Sequence, residues 1–226
     1  MIFDYKINPF GERAVLVEFA EFIDSTINSA VVALTDSLRL AEGIIEVTPA
    51  YRSLLLEYDP LQFDYQEVFN IIRSTAITIT KADEKTVCEI MVCYGGKFGP
   101  DIETVAKHNG ISVNDVIFLH SEREYQVYML GFLPGFPYLG GLSSKLATPR
   151  LATPRLSIPP GSVGIAGSQT GIYPISSPGG WQLIGRTPQK LFSPSQKQPF
   201  LLSAGDWLRF VPISETDYDE IENSDD

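Results

Sequence analysis

Along the first eighty residues the apolar positions switch between a period of two and a period near 3.6. KINPFGERAVLVEF reads as two extended runs around a Pro/Gly turn, and from Asp24 to Leu40 the residues Ile27, Val31, Leu34 and Leu38 return to one helical face. Gly43 closes that helix, and IIEVTPAYRSLLLEYDP supplies two further extended segments around Pro49. Asp64 and Glu67 are spaced as a capping pair for a second helix, whose stripe is Tyr65, Val68, Phe69, Ile72 and Ala76. The order ββαββα predicts a small two-layer domain with these positions as its core. KADEK (81–85) is a charged join, so the pattern divides the chain into a domain over residues 1–82 and another over 86–212.

The second domain begins with the strand-like run TVCEIMVCY. Its two cysteines, Cys88 and Cys93, fall on opposite faces of a strand and read as buried thiols. Two short helical pieces follow GGKFGP; Ser112 and Asp115 cap the second, which ends near His120. From residue 125 the texture changes. Between Gly131 and Pro188 there are 11 glycines and 9 prolines, interleaved with β-branched and aromatic residues, a density of breakers that no helix survives. The pattern predicts a barrel or sandwich with shaped loops, and the fold class is α+β. Inside this block the pentapeptide LATPR occurs twice, at 146–155. Its prolines predict an extended segment with Arg150 and Arg155 on opposite faces, one serving a pocket and the other a surface, or both solvated.

Charge sharpens this picture. The 226 residues carry a net charge of −11, and the last twelve, ETDYDEIENSDD, hold seven acids and no base. The segment 213–226 therefore reads as a frayed acidic tail, with partner contact as the other reading. In contrast, Tyr125 to Gly205 contains no Asp or Glu, but it does contain Lys145, Arg150, Arg155, Arg186, Lys190 and Lys197. Such a block suits a small anionic substrate, unless its bases pair with carboxylates from residues 1–124. Sparse bases in an acidic chain argue against nucleic acid. No apolar run is long enough for a membrane span, the first residues lack the pattern of a secretory signal, and the two cysteines read as thiols of a reducing cytoplasm.

Three segments could shape a site: GFLPGFPYLGG (131–141), GSVGIAGSQTGIYP (161–174) and SPGGWQLIGRTP (177–188). Read as loops, they let glycine backbone approach a ligand. Phe136, Tyr138, Tyr173 and Trp181 would supply walls, Gln169 and Thr170 neutral polar groups, and Arg150, Arg155 and Arg186 the cationic contacts. His120 is the best internal acid/base candidate, against the alternative of a capping or core histidine. Two histidines leave little for a zinc site. The chain lacks a G-x-x-x-x-G-K-[ST] phosphate loop, a G-x-S-x-G elbow and an H-E-x-x-H motif, so a complete catalytic set is hard to assemble from it.

GFLPGFPYLGGL, the doubled ATPR, GSVGIAGSQTGIYP and SPGGWQLIGRTP resemble the KipI/PxpB family, also described as allophanate hydrolase subunit 1-like. GERAVLVEF and PAYRSLLLEYDP extend the resemblance over nearly the whole chain; Ser143 and Ser168 are small departures. The resemblance implies a ferredoxin-like α/β domain followed by a cyclophilin-like β-barrel. One branch of the family is the B subunit of a bacterial ATP-dependent 5-oxoprolinase, which opens 5-oxoproline to L-glutamate with subunits A and C. Another inhibits a sensor histidine kinase by binding it, and a third is fused into urea carboxylase. The first branch fits best. Its substrate is an anionic carboxylate, ATP would be bound with a partner subunit, and shared catalysis would account for the missing phosphate loop and base.

Overall fold

A computed structural model describes residues 3–22, 24–79 and 86–224. The chain divides into two compact units, Met1–Glu84 and Lys85–Asp226. The charged join at 81–85 lies outside the described residues.

In the first unit the sequence order is realised as β1 (Lys6–Pro9), β2 (Ala14–Glu18), α1 (Ser25–Leu38), β3 (Ile44–Pro49), β4 (Ser53–Tyr58) and α2 (Tyr65–Ser74). The strands form one antiparallel sheet in the order β1-β2-β4-β3. Asp24 caps α1 by accepting from Thr26 and Ile27, whereas Asp64 and Glu67 form a reciprocal capping box on α2. Val15, Val17, Leu54 and Leu56 meet Val31, Leu34, Leu38, Val68 and Ile72 in one core. Ala76 lies beyond the end of α2.

The second unit is a closed barrel of seven strands. They are β5 (Val87–Tyr94), β6 (Glu124–Leu130), β7 (Pro137–Gly140), β9 (Ser162–Ala166), β10 (Gln169–Ile172), β12 (Gln182–Arg186) and β13 (Trp207–Pro212). Around the barrel the order is β10-β7-β6-β13-β5-β12-β9. The β5–β13 pair is parallel, and the other pairs are antiparallel. A separate ribbon pairs β8 (Arg155–Ile158) with β11 (Ser177–Gly179). The helices α3 (Ile102–Asn109) and α4 (Val113–Ser121) add Ile102, Val105 and Val116 to a core built on Ile90, Val92, Val163, Ile165, Ile184 and Phe210. Cys88 packs against that core and Cys93 belongs to a separate buried cluster, so the two thiols do occupy opposite faces; both are free and burial raises them.

Three expectations change. The glycine-rich segments are not simply loops: each contributes strand, and GSVGIAGSQTGIYP is mainly the β9–β10 hairpin turned at Gly167, where φ is +59°. The doubled pentapeptide is not one extended run, since it makes a single bridge at Thr148 and becomes strand only at Arg155. The acidic end is not frayed. It forms α5 (Glu215–Ser224), docked by Tyr218, which is 2% exposed and sits 4.5 Å from the Phe98 ring. Composition conceals this because one well-placed aromatic anchors a helix whose other faces are solvated. Ser214 and Asp217 cap its start, and Lys97 pairs with Glu215.

Candidate functional site

The four candidate aromatics gather outside the barrel core, but three of them are closed off. Phe136, Tyr173 and Trp181 are 1%, 1% and 5% exposed and pack edge to face, with ring centroids 5.1 Å and 5.4 Å from Phe136. Ile158, Ala166 and Leu183 complete the cluster. Edge-to-face packing buries these rings against one another, so they are a small second core and not open ligand walls. Tyr138 is the exception. It lies 4.8 Å from Phe136 and remains half-buried. Burial raises the hydroxyl pKa of Tyr138 and pushes that of Tyr173 up to about 12, with the Arg150 charge acting against both shifts. Both phenols are therefore protonated at neutral pH.

His120 is wholly buried at the end of α4. Its ring stacks on Phe210 at 4.3 Å, and its nitrogens meet the Tyr94 hydroxyl at 2.8 Å and the Thr170 hydroxyl at 3.0 Å. Burial pulls its pKa down to about 3, assisted by Arg123. This is a satisfied core histidine, so the geometry withdraws it from general acid/base work. Thr170, also fully buried, donates to the Gly164 carbonyl at 3.0 Å and joins the same network. It too is removed from a ligand surface, while Gln169 stays half-buried at the start of β10.

The three arginines have different fates. Arg155 places Nη2 2.7 Å from Asp101 Oδ1, and Asp101 Oδ2 accepts the Leu183 backbone N–H at 2.7 Å. Asp101 is 8% exposed, so this pair ties the start of α3 to β8 and β12. Arg186 lies under α5, 5.1 Å and 5.3 Å from the centroids of Phe98 and Tyr218. Both serve packing. Arg150 is exposed and makes no hydrogen bond or ion pair among the described residues. Its place shortly before the Gly161 loop makes Arg155 the arginine nearest a ligand in sequence terms. The structure instead spends it on a carboxylate from outside the acid-free block.

Sequence reasoning does not find Asp101 or Gln182. The only signal for Asp101 is its position upstream of that block; nothing local marks Gln182, whose Nε2 donates to the Pro149 carbonyl at 2.9 Å. Two glycines complete the arrangement. Gly180 accepts from the Leu151 backbone N–H at 2.7 Å, and a Cβ on Gly179 would sit 2.5 Å from the Tyr173 hydroxyl oxygen. A concavity of about 280 Å³ lies between α5 and the barrel loops, bounded by Pro160, Pro174, Pro188, Phe192 and Tyr218. Among the described residues, no group of three or more His, Cys, Asp or Glu could hold a metal ion, and no helix is long and apolar enough to cross a membrane.

The chain matches the family model "Carboxyltransferase domain, subdomain C and D" over residues 5–202. It is 46% identical over 228 residues to the B subunit of 5-oxoprolinase from Bacillus subtilis (strain 168), covering 95% of each chain. It is 42% identical to the corresponding B subunit from Escherichia coli O157:H7, covering 91% of this chain and 94% of that one. The crystal structure of TTHA0988 superimposes with a TM-score of 0.81 at 37% identity over 89% of this chain, which spans 40% of that longer chain.

Proposed function

The chain belongs to the carboxyltransferase domain family, subdomains C and D, and we propose that it is the B subunit of an ATP-dependent 5-oxoprolinase, opening 5-oxoproline to L-glutamate with subunits A and C. The observation that carries this reading is end-to-end identity of 46% to the B subunit of a 5-oxoprolinase, across both units. On this reading the first unit is ferredoxin-like and the barrel cyclophilin-like; the two-layer sheet with its two helices and the closed seven-stranded barrel support that description. The protein is cytoplasmic and acts as a non-autonomous subunit.

The local chemistry supports a shared active site. His120 is locked in the core, the sequence has no phosphate loop, and Tyr138 and Tyr173 are too weakly acidic to serve as bases at neutral pH. ATP and the proton-transferring groups then belong with the partner subunits. A kinase-inhibitor reading would need an exposed apolar groove such as Phe136, Tyr138 and Trp181 could form; burial of Phe136 and Trp181 closes most of it and leaves only Tyr138 half-buried, which favours the oxoprolinase reading. Reconstitution tests the proposal. The three subunits together should hydrolyse ATP in response to 5-oxoproline, and omitting this chain should abolish that response. A complete mixture without 5-oxoproline-dependent turnover would overturn it.

A further inference from the structure

We propose that Arg150 receives the carboxylate of a small ligand beside the half-exposed Tyr138 ring. The inference rests on the 5-oxoprolinase reading only for the identity of that ligand. Its physical basis is a contrast between backbone and side chain. At Arg150 the guanidinium has no hydrogen-bonding or ionic partner among the described residues, while the backbone on both sides is tied down. Thr148 and Gly167 exchange two backbone hydrogen bonds of 3.2 Å and 2.7 Å; Gln182 Nε2 holds the Pro149 carbonyl at 2.9 Å; and the Leu151 N–H reaches the Gly180 carbonyl at 2.7 Å. An exposed, uncommitted side chain does not itself require such an ordered mount. A pre-ordered mount does lower the entropic cost of binding through that side chain.

The surroundings select the ligand. The Leu151–Gly180 hydrogen bond seats the backbone after Arg150 one residue from Trp181, whose ring lies 6.0 Å from that of Tyr138, and the Arg150 charge acts on the phenols of Tyr138 and Tyr173 from that side. The acid-free block offers it no carboxylate, and Asp101, which reaches in from outside, is already shared by Arg155 and the Leu183 N–H. What remains is a planar donor fork with no protein acceptor, next to an aromatic surface. A planar carboxylate on a small, partly apolar ring matches both parts.

Calorimetric titration of the full chain with 5-oxoproline tests this. Arg150→Ala should weaken binding roughly ten- to a hundredfold, the loss expected for one charge-assisted contact. Arg150→Lys should restore only part of it, and both variants should keep the wild-type melting temperature, because the guanidinium has no internal partner to lose. 2-Pyrrolidinone, which lacks the carboxylate, should bind wild type and Arg150→Ala equally weakly. Unchanged affinity in Arg150→Ala overturns the proposal, as does Arg150-dependent binding of inorganic phosphate in place of 5-oxoproline. If wild type binds no 5-oxoproline either alone or with the partner subunits, the proposal also falls. The reconstituted complex separates the two readings. Turnover with a KM for 5-oxoproline indifferent to Arg150→Ala defeats this inference alone. Arg150-dependent carboxylate binding in a complex that does not turn over defeats only the functional reading.

Discussion

At the scale of single residues, identity alone does not distinguish an arginine that finds a carboxylate from one left exposed. Arg155 and Arg150 occupy equivalent places in the doubled pentapeptide, yet only Arg155 finds Asp101, which is 54 positions away in sequence. Removing Arg155 leaves a nearly buried carboxylate with its backbone donor but without its counter-charge. Arg155→Ala should therefore cost about 2 kcal/mol, discounted for the partial exposure of Arg155, and lower the melting temperature. Its affinity for 5-oxoproline per folded molecule should change much less than that of Arg150→Ala. His120 has a pH signature. Its folded pKa, about 3, lies below the ordinary 6.5, so the unfolded chain binds the extra proton between these values. Its contribution to stability is complete above pH 6.5 and falls at about 1.4 kcal/mol per pH unit as pH drops toward 3. Urea unfolding across this range should show that slope in wild type, and His120→Phe should lose this component.

Among the elements, those with strong periodicity are legible: the four strands and two helices of the first unit, and the capped α4. Less legible are segments whose environment sets their conformation. The acidic end has the composition of a solvated tail, but Tyr218 packs against both Phe98 and Arg186 and makes it a docked helix. Tyr218→Ala should destabilise the barrel unit by about 3 kcal/mol, the range for emptying a buried aromatic site. Truncation after Pro212 should lower the melting temperature by several degrees, whereas replacing the exposed Asp219 and Glu220 should leave it nearly unchanged. Thermal unfolding of the three variants checks this. Equal melting temperatures for wild type and the truncation would show that α5 contributes nothing to stability.

For the whole molecule, the isolated chain should show no steady hydrolysis of ATP or 5-oxoproline, because its best internal acid/base group is sealed in the barrel; turnover by a homogeneous preparation would contradict this. The two-unit division, the ββαββα order and the β-rich second half can all be read from the chain, because hydrophobic period and breaker density are local properties written along it. The same pattern marks the acid-free block and the three glycine-rich segments around the candidate site. What those residues do is settled by contacts in space. Barrel closure joins β9 to both β10 and β12, the aromatics close into a second core, and Asp101 captures one arginine while α5 covers another. Arg150 is left exposed on a fixed backbone. Pairing and burial are relations between residues far apart in sequence, and their energies depend on distances that no local pattern contains.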